Sequence, residues 1–270
     1  MNTAGEPDIT VTVNFHREGE FALPALASLS DLVNVARAAG LAVETQAILD
    51  RCDEPTRHIL ATRGQWLDAV EEVSFGDLGL SRNAGTRLAH GRFLAFLDGD
   101  DLWGEQWLRA AFEAATNPTA PRDAIWHPQH LYVFSAYDFD RASAGTMPQA
   151  GVETFHSVMC DSDKPGFNLG LLLFDNLWSA NTFARREIYL RFPYSAVDWK
   201  RGTGIEDWSW NFATLDAGIP HRVVSDAVHL IRKTGSHSLG QTTARQLLPH
   251  LPRSVIWSEW PRRASIPGFG

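Results

Sequence analysis

An apolar run that leads directly into three carboxylates constrains the fold more than any other part of the sequence. Residues 93–97 read FLAFL, and Asp98, Asp100 and Asp101 follow immediately. A continuous apolar run of this length is typical of a strand that is buried on both faces, as in a parallel sheet covered by helices. The acids then lie at the carboxyl end of the strand, where open α/β sheets place their ligand crevice.

The spacing of these acids predicts a metal site. Gly99 lets the backbone turn tightly, so that the side chains of Asp98 and Asp100 can converge on one point. Converging carboxylates repel each other unless a cation lies between them, and Mg²⁺ or Mn²⁺ prefers such oxygen ligands and often contacts a substrate phosphate as well. Two simpler interpretations stay open: a solvated acidic turn, and an N-cap role for Asp101 in a helix that begins near Leu102.

Strand and helix patterns alternate along the chain, which predicts a sheet with right-handed βαβ crossovers. Strands are predicted at residues 9–15, 43–49, 70–75, 124–134 and 223–231, and within residues 178–191 a strand precedes a short helix. Further helices are predicted at residues 20–39, 77–91 and 104–115. A chain of 270 residues is long enough for one large α/β domain.

Composition and missing motifs exclude several classes of protein. A net charge of -8 argues against a nucleic-acid-binding protein, which would present a basic face. The phosphate-binding motifs GxxxxGK[ST] and GxGxxG are absent, which argues against NTPases and dinucleotide enzymes, and the absence of GxSxG argues against a serine hydrolase. Cys52 and Cys160 have neither metal-ligand nor redox spacing. The N-terminus lacks a signal-peptide pattern, so we expect a cytoplasmic protein, with peripheral membrane contact left open.

Residues 80–103, LSRNAGTRLAHGRFLAFLDGDDLW, resemble the segment that carries the DxD motif in family-2 glycosyltransferases of the GT-A fold. In that family an Arg-Asn pair opens a helix, a Gly ends it, and a buried strand delivers the DxD acids to the metal and the sugar-nucleotide diphosphate. The resemblance implies a single α/β, Rossmann-like GT-A domain at residues 1–240, with a central, mostly parallel sheet flanked by helices. Residues 1–120 would form its nucleotide-sugar half and residues 121–240 its acceptor and catalytic half.

The same resemblance implies contacts to a nucleotide-sugar donor, at Phe15, Asp50, Arg82, Asp98 and Arg232. Phe15 and Asp50 match the positions beside the base, and Arg82 matches a nucleotide or phosphate contact. Arg232 and its neighbour Lys233 can contact the diphosphate. Arg51-Cys52 stand where Asp-Gly is common, so the base stays open, although we expect a UDP-sugar. Alternatively, Asp50 and Asp53 stabilise a turn through their own backbone, and Arg82 is a surface residue.

A Gly-flanked Glu-Asp pair, in GTGIEDW at residues 202–208, matches the family's catalytic motif. The resemblance implies that Asp207 is the catalytic base, and displacement of a nucleotide diphosphate by a hydroxyl does need such a base. A base on the opposite face of the sugar implies inversion at the anomeric carbon. Both acids can instead favour a helix N-terminus. Glu206, Trp208 and Trp178 are weaker candidates for acceptor contacts.

The segment VHLIRK, at residues 228–233, resembles a segment of the polypeptide N-acetylgalactosaminyltransferases in which a His completes the metal shell. The resemblance implies that His229 is the third metal ligand beside Asp98 and Asp100, and an imidazole ligand favours Mn²⁺ over Mg²⁺. His237 competes for this role, and a structural role for His229 stays open. Because those transferases retain the anomeric configuration, a retaining mechanism is the alternative to inversion.

The sequence therefore predicts a metal-dependent glycosyltransferase that moves a hexosyl group from a nucleotide-diphosphate sugar to a hydroxyl of a glycan or another acceptor. A nucleotide-sugar-binding module without turnover is the alternative of another class. Aromatic residues of the second half can stack on a sugar or fill the core: Trp126, Tyr132, Trp178 and Trp199. The basic, aromatic tail at residues 241–270 can contact an anionic membrane or a partner, or pack on the domain itself.

Overall fold

The computed structural model describes residues 5–135, 155–233 and 247–252. Its strands are β1 (Ile9–Phe15), β2 (Val43–Asp50), β3 (Ala69–Val73), β4 (Phe93–Asp98), β5 (Leu102–Trp103), β6 (Ile125–Ser135), β7 (Phe155–Val158), β8 (Thr182–Arg185) and β9 (His221–Lys233). Its helices are α1 (Ala22–Ala38), α2 (Glu54–Arg63), α3 (Leu78–Leu88), α4 (Trp107–Thr116), α5 (Arg186–Arg191) and α6 (Glu206–Asp216). Short 3₁₀ helices form at Gly19–Phe21 and Leu169–Leu173.

These strands form one sheet in the order β3-β2-β1-β4-β8-β6-β9-β5, with β7 paired to β6. The four strands β1 to β4 are parallel, and so are β6 and β9. Strand β8 joins the two groups antiparallel to both β4 and β6, and β5 and β7 are also antiparallel to their neighbours. The α/β prediction is confirmed, and the parallel order that the sequence predicts is interrupted at β8.

Strand β4 is buried on both faces, as its continuous apolar sequence predicts. Phe93, Ala95 and Leu97 pack into a core that contains α1 and α4 residues. Leu94 and Phe96 point to the opposite face and pack with residues of α5 and α6. Because alternate side chains of a strand face opposite sides, one uninterrupted apolar run serves both cores.

At the strand ends, the structure shows one helix that the sequence does not predict, and it contradicts one prediction. The acidic turn after β2 leads into helix α2, where Asp53 is the N-cap and accepts a hydrogen bond from the Thr56 amide at 3.1 Å. Leu102 and Trp103 form strand β5, which pairs with β9, and the next helix begins only at Trp107. The N-cap prediction for Asp101 is therefore wrong, because the chain continues as a strand after the acid turn.

Part of the predicted tail packs on the domain itself. The Leu248 carbonyl accepts from the Gly204 amide at 2.9 Å, and the His250 amide donates to Ser209 Oγ at 2.9 Å. This contact supports the self-packing interpretation for residues 247–252. His237 lies outside the described residues, and so do residues 241–246 and 253–270 of the tail. Across the described ranges, no helix has the length and apolar character needed to cross a membrane.

We predict that Gly99→Ala destabilises the protein by about 1–3 kcal/mol, the usual cost of overpacking. A Cβ atom at Gly99 would overlap the Phe15 ring and lie 2.7 Å from the Asn14 carbonyl oxygen. Gly104→Ala is the matched control, because its Cβ would meet Val228 at ordinary contact distances of 3.4–3.5 Å. Chemical denaturation measures both, and equal losses of stability would contradict the close packing beneath the acid turn.

Candidate active site

A cavity of about 920 Å³ lies at the carboxyl ends of β1, β2 and β4, as the positions of the acids predict. The residues predicted to bind donor or metal or to act as the base line this cavity, and so do the three weaker acceptor candidates: Phe15, Asp50, Arg82, Asp98, Asp100, Trp178, Glu206, Asp207, Trp208, His229 and Arg232. They come from both halves of the chain. The structure thus brings the predicted donor, metal and catalytic residues to one place.

Strand β9 holds the acid turn through Asp101. The Asp101 carboxylate lies 2.8 Å from His229 Nε2 and accepts a hydrogen bond from the Arg232 amide at 2.9 Å. Arg232 Nε donates to the Asp100 carbonyl oxygen at 2.9 Å, and His229 Nδ1 lies 3.1 Å from Ser179 Oγ. Both ring nitrogens of His229 therefore contact protein atoms, and its partner among the acids is Asp101.

Four carboxylates face the cavity around the acid turn, those of Glu18, Asp98, Asp100 and Asp101. Burial raises the pKa of Asp100 well above its usual range, and the charges of Asp101, Glu18 and Asp98 raise it further. Burial also raises the pKa of Glu18 to about 7, although the His16 amide donates to its carboxylate at 2.6 Å. A divalent cation with oxygen ligands would relieve this repulsion, so the donor atoms fit Mg²⁺ or Mn²⁺.

The predicted set of three metal ligands is not assembled in the structure. Within residues 5–135, 155–233 and 247–252, no three His, Cys, Asp or Glu side chains are arranged as a metal-binding group. Asp98 and Asp100 fit the common arrangement in which one or two carboxylates and substrate phosphates share the ion. Ligation by His229 stays a prediction, and the preference for Mn²⁺ that depended on it has no support from the geometry.

Arg82 connects the acid turn to the Glu-Asp pair. Its side chain is completely buried, with Nη1 2.5 Å from Glu206 Oε1 and Nη2 2.8 Å from Asp98 Oδ1. Although burial alone would lower the pKa of Arg82, the Asp98 and Glu206 carboxylates hold it above its usual range. The surface interpretation of Arg82 is wrong. Its predicted contact with the donor stays a prediction, since both terminal nitrogens already bind carboxylates.

Asp207 lies at the start of α6 with both carboxylate oxygens in hydrogen bonds. Oδ1 accepts from the Trp208 amide at 2.7 Å, and Oδ2 accepts from Asn176 Nδ2 at 2.9 Å. Asn211 Nδ2 in turn donates to Asn176 Oδ1 at 2.8 Å, which fixes the orientation of that amide. Burial raises the pKa of Asp207 to about 7, and the neighbouring Glu206 charge adds to the shift. A carboxylate with this pKa can accept a proton near neutral pH.

Two of the predicted donor residues have structural partners. Asp50 accepts hydrogen bonds from the Gly76 amide at 2.8 Å, the Asp77 amide at 3.1 Å and Ser81 Oγ at 2.8 Å, so it holds the turn before α3. The partners of the Asp50 carboxylate lie in a distant turn at residues 76–81, and not in its own turn as the alternative interpretation has it. The Phe15 ring is 1% exposed beneath Gly99. Base recognition by Asp50 and Phe15 stays a prediction.

The predicted aromatic contacts with the acceptor are mostly core contacts. Trp178 is 1% exposed, donates its indole N–H to the Cys160 carbonyl at 3.0 Å and packs against His221. Trp208 donates its indole N–H to the Leu172 carbonyl at 2.8 Å, which fixes its ring at the cavity wall. Trp126 is buried, whereas Tyr132 and Trp199 are 41% and 57% exposed and lie outside the cavity lining.

No sequence motif identifies three further side chains of the site, those of Glu18, Asn176 and Ser179. Glu18 follows the end of β1 by three residues. Its position at the carboxyl end of a central strand is a signal that could have found it. Asn176 and Ser179 lie in the irregular connection before β8 and acquire roles only because Asp207 and His229 fold against them.

We predict that Arg82→Met destabilises the protein by about 3 kcal/mol or more, because it leaves the buried Glu206 carboxylate and the partly buried Asp98 carboxylate without their partner. Arg82→Lys should cost less, since one ammonium can still contact one carboxylate. Arg57→Met is the control, because the Arg57–Glu72 ion pair is exposed and should contribute little. Urea denaturation gives the three values, and an Arg82→Met loss as small as that of Arg57→Met would contradict the bridging role.

Comparison with known proteins identifies the fold. No protein-family model matches the sequence, and no curated protein matches it significantly. The structure is similar to S. aureus TarS 1-349 in complex with UDP-GlcNAc, with a TM-score of 0.59 at 15% identity over 86% of this chain and 60% of the TarS chain. It is also similar to the mannosyltransferase PcManGT from Pyrobaculum calidifontis in complex with GDP-Man and Mn²⁺, with a TM-score of 0.55 at 14% identity.

The PcManGT match covers 84% of this chain and 57% of that chain. A longer crystal structure of S. aureus TarS matches with a TM-score of 0.54 at 16% identity, over 88% of this chain and 38% of TarS. This chain thus spans about 60% of the TarS 1-349 structure. The α/β chain has the GT-A fold that these glycosyltransferases share.

Proposed function

We propose that this protein is a glycosyltransferase that moves a hexosyl group from a nucleotide-diphosphate sugar to a hydroxyl acceptor. The observation that carries the proposal is the cavity, where the acid turn at Asp98–Asp101 and the carboxylate of Asp207 face the same space. The GT-A fold adds support, because the similar structures contain UDP-GlcNAc and GDP-Man. A UDP-sugar is the expected donor, with a GDP-sugar as the second candidate.

The proposed reaction is one displacement at the anomeric carbon. The acceptor oxygen forms a bond to that carbon as the bond to the donor phosphate oxygen breaks, and the electron pair leaves with the nucleotide diphosphate. Asp207 Oδ1 or Oδ2 takes the acceptor proton, for which a pKa of about 7 is suitable. A single displacement inverts the configuration, whereas a retaining transferase would give the opposite anomer.

The residues around the acid turn would serve the departing diphosphate. Asp98 and Asp100 would hold a divalent cation, either Mg²⁺ or Mn²⁺, which supplies charge neutralisation for the leaving group. Arg232 is fixed by its bonds to Asp100 and Asp101, so its guanidinium stays beside the same end of the cavity. Arg82 keeps Asp98 and Glu206 in place, and Asn176 orients Asp207. Side chains that are oriented before the substrate arrives need no reorganisation during the reaction.

The first prediction of this proposal concerns donor binding and turnover. UDP-, GDP- and dTDP-sugars are offered with Mg²⁺ or Mn²⁺, and thermal stabilisation and nucleotide-diphosphate release are measured. We expect one donor class to stabilise the native protein, Asp100→Ala to abolish that stabilisation, and Asp207→Asn to bind the donor with at least about a hundredfold slower turnover.

Asp163→Asn is the control for these variants, because Asp163 is paired with Arg222 outside the cavity and should leave both readouts unchanged. Donor binding without any nucleotide-diphosphate release would favour the alternative of a binding module. Failure of every sugar nucleotide to bind with either metal would overturn the proposed function. For an active protein, proton NMR of the product distinguishes inversion from retention.

The second prediction concerns pH. The base must be ionised to accept a proton, so kcat/KM should fall as the pH drops below about 7, the pKa of Asp207, and should level off above it. Glu18 also has a pKa of about 7, so Glu18→Gln separates the two groups. The inflection should persist in Glu18→Gln. A profile that stays flat down to pH 5 would contradict the assignment of Asp207.

A further inference from the structure

One wall of the cavity is a three-strand apolar surface, which we name the apolar platform and define by Leu131, Val133, Phe155 and Ile231. Val133 of β6 lies directly opposite Phe155 of β7 and Ile231 of β9. Residues in direct register across neighbouring strands share one face of the sheet. All four platform side chains line the cavity, so this face is the one that the cavity presents to its contents.

The carboxylates around the acid turn follow strands on the other side of β8, and Arg232 and Lys233 of β9 add positive charge on the platform side. Glu18, Asp98 and Asp100 follow β1 and β4, whereas the platform belongs to β6, β7 and β9. Leu131 lies opposite His229 in register, and His229 contacts Asp101 of the acid turn. The platform is therefore adjacent to the acid turn. The cavity thus has a charged end that suits a diphosphate and an apolar wall that does not.

The apolar platform is continuous with the surroundings of the proposed base. Leu131 and Trp208 pack against the same core cluster around Trp178 and Phe212. Trp208 follows Asp207 directly and also lines the cavity. At the opposite end of the platform, Phe155 is 49% exposed and Lys233 Nζ lies 5.5 Å from its ring centroid. A molecule that presents its hydroxyl to Asp207 therefore has an apolar surface beside it.

We infer that the acceptor is amphipathic: its reacting hydroxyl lies next to an apolar group, an alkyl chain or an aromatic ring, which the apolar platform binds. This inference rests on the proposed function, since it assigns the acceptor side of the same cavity. Burial of apolar surface is the source of affinity on such a wall, and the few polar groups near it set orientation. A free monosaccharide would leave the platform facing water.

The test compares methyl and n-octyl glycosides of glucose, galactose and N-acetylglucosamine, with the octyl compounds below their micelle concentration. Binding is measured by isothermal titration calorimetry, and nucleotide-diphosphate release is measured with the donor that binds. We expect at least one octyl glycoside to exceed its methyl counterpart by about tenfold or more in affinity and in kcat/KM, an effect that burial of about two methylene groups supplies.

Substitutions locate the effect. Phe155→Ser should remove most of the octyl preference, whereas Phe155→Leu, which keeps an apolar side chain, should retain it. Phe174→Ala is the matched control, because Phe174 is 84% exposed and lies outside the cavity lining. Equal use of methyl and octyl glycosides, a preference that survives Phe155→Ser, or no binding of any octyl glycoside would each overturn the inference.

The two readouts keep this inference distinct from the proposed function. Turnover of methyl and octyl glycosides with the same efficiency would support the proposed transferase and contradict the inference of an amphipathic acceptor. Binding of an octyl glycoside that depends on Phe155, without nucleotide-diphosphate release from any donor, would support the amphipathic ligand and contradict the proposed transferase. Binding of the octyl glycoside should also persist in Asp207→Asn, because that variant changes the proposed base and leaves the platform intact.

Discussion

A single buried guanidinium connects the two ends of the candidate site. Arg82 contacts Asp98 at the end of β4 and Glu206 at the start of α6, although Arg82 and Glu206 are 124 positions apart in the chain. The Glu206 carboxylate is almost fully buried and the Asp98 carboxylate is partly buried, so each loses hydration that the contact with the guanidinium replaces. The acid turn and the helix that carries Asp207 therefore hold their relative position through one side chain.

The second connection runs from strand β9 to the acid turn through Asp101, His229 and Arg232. With Arg82, it fixes the carboxylates from two directions and leaves Asp100 among other negative charges, where burial raises its pKa. Like charges held close together lower the free energy of unfolding, and a cation that binds between them stabilises the folded state. The fold thus maintains an arrangement that is more suitable for a ligand than for the protein alone.

Much of the fold could be predicted because the central strands are apolar throughout, so their sequence alone indicates that they are buried. The apolar run before Asp98 is an example. Helix α2 could not be predicted, since only Thr56 and Leu60 of its residues are buried and its apolar periodicity is weak. The location of the candidate site could be predicted from the acids that follow the strand ends. Their partners were unpredictable because Asp101 and His229 are 128 positions apart and no local pattern encodes which acid the imidazole contacts.

The position of strand β8 in the sheet affects which parts of the sequence can vary during evolution. This strand lies antiparallel between β4, which ends in the acid turn, and β6, which carries half of the apolar platform. Loops and strand surfaces tolerate substitution more readily than a buried ion-pair network does. Under the proposed function, a descendant can accept a new hydroxyl compound through changes in β6 and β7 while the donor end keeps its geometry. Diversification is therefore expected in β6 and β7, and constancy in the end of β4 and in the β9 residues that hold the acid turn.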